Sequence, residues 1–232
     1  RHPIAPCVVL FYETIDGKPE TLSGLVVIET DDLLGGGIGD EFHAAIKQLR
    51  KAYQFGKWVH LMETSTEYGG RTLKQFEDYS FDVSMVRYLQ ERAREIRITR
   101  GRRTDLNDDA TEEEITAMRG LTGKLNWATR EGMPQGCGDA SLLSATMPTP
   151  KVKDLIEANA ALRRLLQSNA SIRSWSISLS RLRILLFSDS SLANASGGTC
   201  QLAHMVCATD KEIFDVIDAQ VSIDWTKVVR GE

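Results

Sequence analysis

The spacing of apolar and polar positions divides the chain into strand-like and helix-like stretches. Val8-Val9-Leu10-Phe11-Tyr12 and Leu25-Val26-Val27-Ile28 are short continuous apolar runs, the pattern of buried strands. Between them, Ile15-Asp16-Gly17-Lys18-Pro19 has turn chemistry, because Pro presets φ and Gly removes the Cβ clash. The second run leads into Asp31-Asp32, Leu33-Leu34 and a glycine cluster, Gly35-Gly36-Gly37 with Gly39. Asp40 is placed to cap a helix carrying Phe42, Ile46, Leu49 and Tyr53 at helical spacing, and Gly56 ends it. Short strands are expected from Trp58 to Val83, with a turn at Glu77-Asp78, and then a helix from Met85 to Ile98.

The polar stretch Arg100 to Asp109 reads as a hinge. Thr111 with Glu114 three residues on spells a capping box, in which each side chain satisfies a backbone N–H of the other. The helix it starts carries Ile115, Met118, Leu121, Leu125 and Trp127, and Gly132-Met133-Pro134-Gln135-Gly136 breaks it. A further helix is expected over about 137–147, stopped by Pro148 and Pro150. Another follows with Val152, Leu155, Ile156, Ala160, Leu162 and Leu166 on one face. After Ser168 the texture turns strand-like, at Ile172 to Leu179, Leu182 to Phe187, Gln201 to Ala208 and Val221 to Trp225. Mixed elements followed by strands make the expected class α+β, with a boundary near residue 170.

Charge changes the picture only locally. The formal net charge is −4, from 28 Lys and Arg against 32 Asp and Glu, which argues mildly against a nucleic-acid binder. Yet Arg87, Arg92, Arg94, Arg97, Arg100, Arg102 and Arg103 crowd one stretch, and the acids Asp105, Asp108, Asp109 and Glu112-Glu113-Glu114 follow it. The basic part fits both a phosphate-tracking surface and a solvated helix face. No apolar run approaches the ~20 residues of a membrane span. The N-terminus has no signal pattern, and four cysteines form no dense framework, so a reduced intracellular compartment is expected. The absence of an initiator Met suggests a fragment.

Five constellations could carry chemistry. Asp31-Asp32 follows a buried strand. Adjacent carboxylates repel, and a divalent cation removes that cost, so the pair suits a metal site for phosphoryl transfer; a solvated turn or helix cap fits the spacing as well. The glycine cluster has Gly35 and Gly37 of a dinucleotide fingerprint, but Asp40 stands at its third glycine position, so a flexible turn after the hairpin is expected. Cys200, His204 and Cys207 have faint zinc spacing without a nearby fourth ligand, which leaves a buried thiol pair. The basic stretch is the fourth. Asp189 is the fifth: it ends the apolar run Ile184 to Phe187, where both a metal ligand and a turn-former are at home.

Taken in order, these segments resemble the copia-type reverse transcriptases. GLVVIETDDLLGGG is similar to the polymerase hairpin with paired metal-binding aspartates, and FHAAIKQLRKAYQFGKW to the helix that follows it. EYGGRTLKQFEDYSFDVSMVRYL resembles the hairpin that grips the primer end. The stretch from Met118 to Leu166, with Gly-x-Leu-x-Trp near its start, resembles the thumb and connection. LLFSDSSLANASGGTCQLAHMV resembles the opening strands of an attached RNase H domain, and VSIDWTKVVRGE its third strand.

The resemblance implies a partial palm over 1–104, a helical thumb and connection over 105–170, and an incomplete RNase H-like mixed sheet over 171–232. It implies Asp31, Asp32, Asp189 and Glu232 as catalytic, the first three as ligands of Mg²⁺ or Mn²⁺. Tyr68, Gly69, Gly70, Arg97 and Arg100 would contact nucleic acid. Implied partners are a primer–template of RNA or DNA, a deoxynucleoside triphosphate in the intact parent, and the rest of a polyprotein. The implied location is a cytoplasmic particle or the nucleus. Two departures stand out. Glu29 occupies a position that is aromatic or His in the family, and the polymerase's first metal-binding Asp would lie upstream of Arg1.

Overall fold

The computed structural model describes residues 5–14, 21–191, 198 and 200–211. The expected turn at Ile15 to Pro19, the expected strand at Val221 to Trp225, and Glu232 lie outside them.

The first apolar runs form a three-stranded antiparallel sheet, β1 (Val8–Glu13), β2 (Thr21–Glu29) and β3 (Asp32–Gly37), with β2 central. The glycine cluster is therefore a strand rather than the expected flexible turn, and Gly35, Gly36 and Gly37 pair with Val26, Leu25 and Gly24. Packing explains it. A Cβ on Gly24 or Gly37 would come within 2.5 or 2.6 Å of the Phe42 ring, so side-chain-free backbone makes room for that ring. Phe42 belongs to α1 (Asp40–Ala52) and meets Phe11 edge-on with ring centroids 5.2 Å apart. The cap of α1 does not come from Asp40, which is the helix's first residue. The Glu13 carboxylate on β1 accepts the Glu41 N–H at 2.8 Å and the Phe42 N–H at 3.1 Å, supplying negative charge at the positive end of the helix.

A second antiparallel sheet has the order β4 (Thr66–Tyr68), β5 (Arg71–Gln75), β6 (Phe81–Ser84) and β7 (Ile172–Ser174). The expected turn at Glu77-Asp78 is there, held by Asp78 accepting from the Ser80 N–H at 3.0 Å and hydroxyl at 2.6 Å. Residues 58–65 are irregular, with a turn at 61–63, instead of forming a strand. β7 pairs Ile172 with Val83, so hydrogen bonding crosses the expected boundary near 170.

The main apolar core lies among four helices, α2 (Val86–Arg92), α3 (Glu112–Glu131), α4 (Cys137–Thr146) and α5 (Val152–Ser168). Met85, Leu89, Met118, Leu121, Leu125, Leu155 and Leu162 fill it, and Ala128, Ala140, Ala158 and Ala161 let the backbones approach. The helix expected from Met85 to Ile98 ends at Arg92. Beyond it Ala93, Ile96 and Ile98 are buried along an extended strap, because the buried Asn159 amide takes both backbone groups of Ile96. Nor is Arg100 to Asp109 a free hinge. Arg102 pairs with Asp108 at 3.1 Å and Glu114 at 3.0 Å, and Lys151 pairs with Asp109 at 3.1 Å.

The capping box of Thr111 and Glu114 forms as expected, with bonds of 2.9 and 3.3 Å. Burial pushes the Glu114 carboxyl upward, but Arg102 and the Thr111 N–H outweigh it and hold it below the usual carboxylate range. A depressed folded-state value means the contribution is present above the unfolded value and lost as pH falls through the folded one. Glu114→Gln is therefore expected to reduce the loss of thermal stability on acidification, measured by melts across the carboxylate range. An unchanged acid slope would contradict this role for Glu114.

The last described strands, β8 (Arg183–Ser191) and β9 (Gln201–Thr209), pair as a two-stranded antiparallel ribbon. The implied mixed sheet is thus antiparallel among the described residues. Its apolar run is not buried, with Leu186 67% and Leu202 75% exposed. The class is α+β with antiparallel sheets. Among the described residues no helix is long and apolar enough to cross a membrane.

Candidate nucleic-acid interface at two hairpin turns

β2 and β3 are joined through Thr30 and Asp31, with Glu29 opposite Asp32. Thr30 takes φ 57°, the left-handed geometry that a tight hairpin requires at its first loop residue. For a β-branched residue that costs about 1–3 kcal/mol, so the turn is held by its surroundings. It puts Asp31 at the apex and Asp32 at the start of β3, both exposed. Oxygen donors on one or two carboxylates suit Mg²⁺, which keeps several waters, so this pair fits a hard divalent cation.

β4 and β5 are joined by Gly69 and Gly70, with φ of 55° and 77°, a two-residue loop of the kind in which both positions need positive φ. Close approach adds a second reason for glycine. A Cβ on Gly69 would lie 3.1 Å from the Glu29 carboxylate, and one on Gly70 3.3 Å from the Tyr88 ring. The two turns thus abut. Arg71 ties them to α3: its Nε donates to Glu131 at 2.6 Å, its Nη1 lies 3.4 Å from Glu29, and its guanidinium sits 5.7 Å from the Trp127 ring centre.

Tyr68 lies beneath this junction with its hydroxyl buried beside the Glu29 carboxylate. Burial pushes the phenol upward, and the charges of Glu29 and Asp32 push it further against the opposing pull of Arg71.

Beside the Gly69-Gly70 turn is an open cleft of about 450 Å³, walled by Tyr88 and Trp127 and edged by Arg92 and Lys124. Neither cation forms an ion pair among the described residues. Two aromatic faces flanked by cations can take stacked or edge-on bases with their phosphates. Trp127 had read as part of the apolar stripe of its helix, but it is half-exposed and faces the turn. Arg71, Glu131, Tyr88 and Lys124 were not singled out from the sequence. The available signal was the Gly-Gly pair between Tyr68 and Arg71, whose hairpin brings Arg71 alongside Tyr68.

The other expected residues lie elsewhere. Arg97 sits exposed between buried Ile96 and Ile98, and neither it nor the exposed Arg100 lines this cleft. Asp189 is exposed within β8 instead of ending it, and accepts the Ser190 N–H at 2.9 Å. Cys200 is exposed and Cys207 half-buried, so the buried thiol pair is not found. Among the described residues no three His, Cys, Asp or Glu side chains group as a metal set. Comparison with protein-family models, with curated proteins and with solved structures finds no match.

Proposed function

We propose that this chain is the downstream part of a copia-type RNA-directed DNA polymerase, spanning part of the palm, the thumb and connection, and the first strands of an RNase H domain. The supporting observation is the junction just described. The Asp31-Asp32 hairpin, the glycine turn after Tyr68 and the Trp127 face of α3 are distant in sequence, and one arginine joins them. A polymerase needs such a junction, since the metal-binding carboxylates must sit beside the surface that holds the primer end. In this proposal Asp31 and Asp32 hold Mg²⁺ or Mn²⁺, which would neutralise charge on a deoxynucleoside triphosphate during transfer to a primer 3′-hydroxyl. Asp189, and Glu232 beyond the described residues, would serve RNA hydrolysis in RNA–DNA hybrids.

A non-catalytic nucleic-acid or protein interaction module is the second reading, favoured by the exposed apolar side chains of β8 and β9. Binding to a labelled RNA–DNA primer–template, followed by anisotropy across salt concentrations, tests the proposed duplex surface. Lys124→Gln is expected to weaken binding several-fold and to lower the salt slope by about 1, as for loss of one phosphate contact. Trp127→Ala is expected to weaken it further. Unchanged affinity in both variants would remove the duplex from this cleft.

A further inference from the structure

We infer that the cleft at the C-terminal end of α1 is a separate binding site for single-stranded nucleic acid. The inference does not depend on the polymerase proposal, since the cleft shares no lining residue with the one beside Gly69-Gly70. It encloses about 590 Å³ and is lined by Arg50, Lys51, Tyr53, Phe55, Gly56 and Trp58, among others.

Charge is the first argument. From Phe42 to Met62 the chain carries Lys47, Arg50, Lys51 and Lys57 and not one Asp or Glu, in a protein whose net charge is −4. None of these four cations forms an ion pair among the described residues. Basic residues in a last helical turn also offset the helix dipole, which accounts for Arg50 and Lys51. It does not account for Lys57, which follows the helix, or for the aromatic rings.

Those rings are the second argument. At the end of α1 the Tyr53 backbone turns extended, with φ −126° and ψ 143°, and its side chain leaves the helix stripe. Tyr53 is 64% exposed and Trp58 38%. Phe55 holds them in a chain of edge contacts, 6.5 Å from Tyr53 and 5.4 Å from Trp58 between ring centres. Arg50 lies over the Trp58 ring at 4.8 Å, presenting a guanidinium beside an aromatic face. Rings set among cations match a ligand with both π-faces and phosphates. In a duplex those faces are stacked on one another, so the site selects unpaired strands.

A Cβ on Gly56 would meet no atom within 4 Å, and its φ is not left-handed, so the fold does not require glycine there. The open space lies at the wall of the cleft and gives the test a variant that fills the site without straining the chain.

The experiment uses the full 232-residue chain with labelled oligo-dT and an abasic oligomer of the same length, read by anisotropy without added divalent metal. Oligo-dT is expected to bind about tenfold more tightly than the abasic strand, and Tyr53→Ala to remove most of that difference, in the range measured for loss of one stacking platform. Gly56→Val is expected to weaken oligo-dT binding similarly with an unchanged melting temperature. Neutralising Arg50 and Lys51 together with Gln should lower the salt slope by about 1.4. Trp127→Ala serves as the comparison for the other cleft, and Tyr53→Ala is expected to cost more oligo-dT affinity than it does. Equal binding of abasic and normal strands, equal competition by poly-glutamate, or loss of binding in Trp127→Ala instead of Tyr53→Ala would each overturn the assignment.

Discussion

Asn159→Ala is expected to cost about 3 kcal/mol, the largest single-residue loss of stability we anticipate for a polar side chain in this fold. Asn159 lies on α5, 3% exposed, inside the helical core. Its Oδ1 accepts the Ile96 N–H at 2.8 Å and its Nδ2 donates to the Ile96 carbonyl at 2.9 Å. Ile96 is itself buried, so truncation leaves a backbone donor and acceptor without water or partner. Each such orphan costs about 1–3 kcal/mol. In a chain of this size each kcal/mol lowers the melting temperature by about 2–4 °C, so a drop of roughly 6–12 °C is expected. Asn159→Asp is expected to be no milder, because it keeps the acceptor for the Ile96 N–H but sets a buried charge against the Ile96 carbonyl. Thermal melts and amide exchange at Ile96 check both. A melting temperature within about 1 °C of wild type would show that the strap is not held by Asn159.

Asn159 also shows where the sequence stopped being legible. Ala93, Ile96 and Ile98 permit a helical or an extended assignment over so short a stretch, and local periodicity favoured continuing the helix. The partner that decides the matter is far along the chain, on α5. The same holds for α1, whose cap is Glu13 on β1 while the sequence pointed to Asp40. The glycine cluster was misjudged for a related reason. Glycine usually signals a turn, but here Gly24 and Gly37 clear space for Phe42 across a strand pair. By contrast α3, α4 and α5 were legible nearly to their ends, because capping box, apolar stripe and Pro or Gly breaks are local signals.

The candidate site was legible in part. Asp31-Asp32 stood out from its residues, the segment around Tyr68, Gly69 and Gly70 only through the family resemblance, and the structure sets the two turns against each other. Arg71 was missed because one arginine among many carries no local mark; its role comes from Glu29, Glu131 and Trp127, which meet only in the fold. Glu29, noted as a departure beside the aspartates, is engaged by Arg71 at 3.4 Å and so is partly neutralised. The runs at Leu182 to Phe187 and Gln201 to Ala208 are strands as expected, and the described residues leave apolar side chains of both exposed.

The second large effect expected concerns the aspartates. In the proposed polymerase they hold the cations that neutralise the phosphates, a contribution of several kcal/mol to the barrier. Replacing either carboxylate with an amide removes charge and leaves size unchanged, so folding should be little affected while turnover falls by roughly a thousandfold. In this proposal the third carboxylate ligand lies upstream of Arg1, so the 232-residue chain alone is expected to show negligible extension.

Templated primer extension, in Mg²⁺ and in Mn²⁺, by the product of the reading frame continued upstream of Arg1 decides between a polymerase and an interaction module. Extension by that product is expected, about a thousandfold less in Asp31→Asn and Asp32→Asn, with none by the 232-residue chain alone. Extension that survives both substitutions at the unsubstituted rate, or an upstream frame whose product binds primer–template but never extends it, would contradict the polymerase assignment and leave an interaction module.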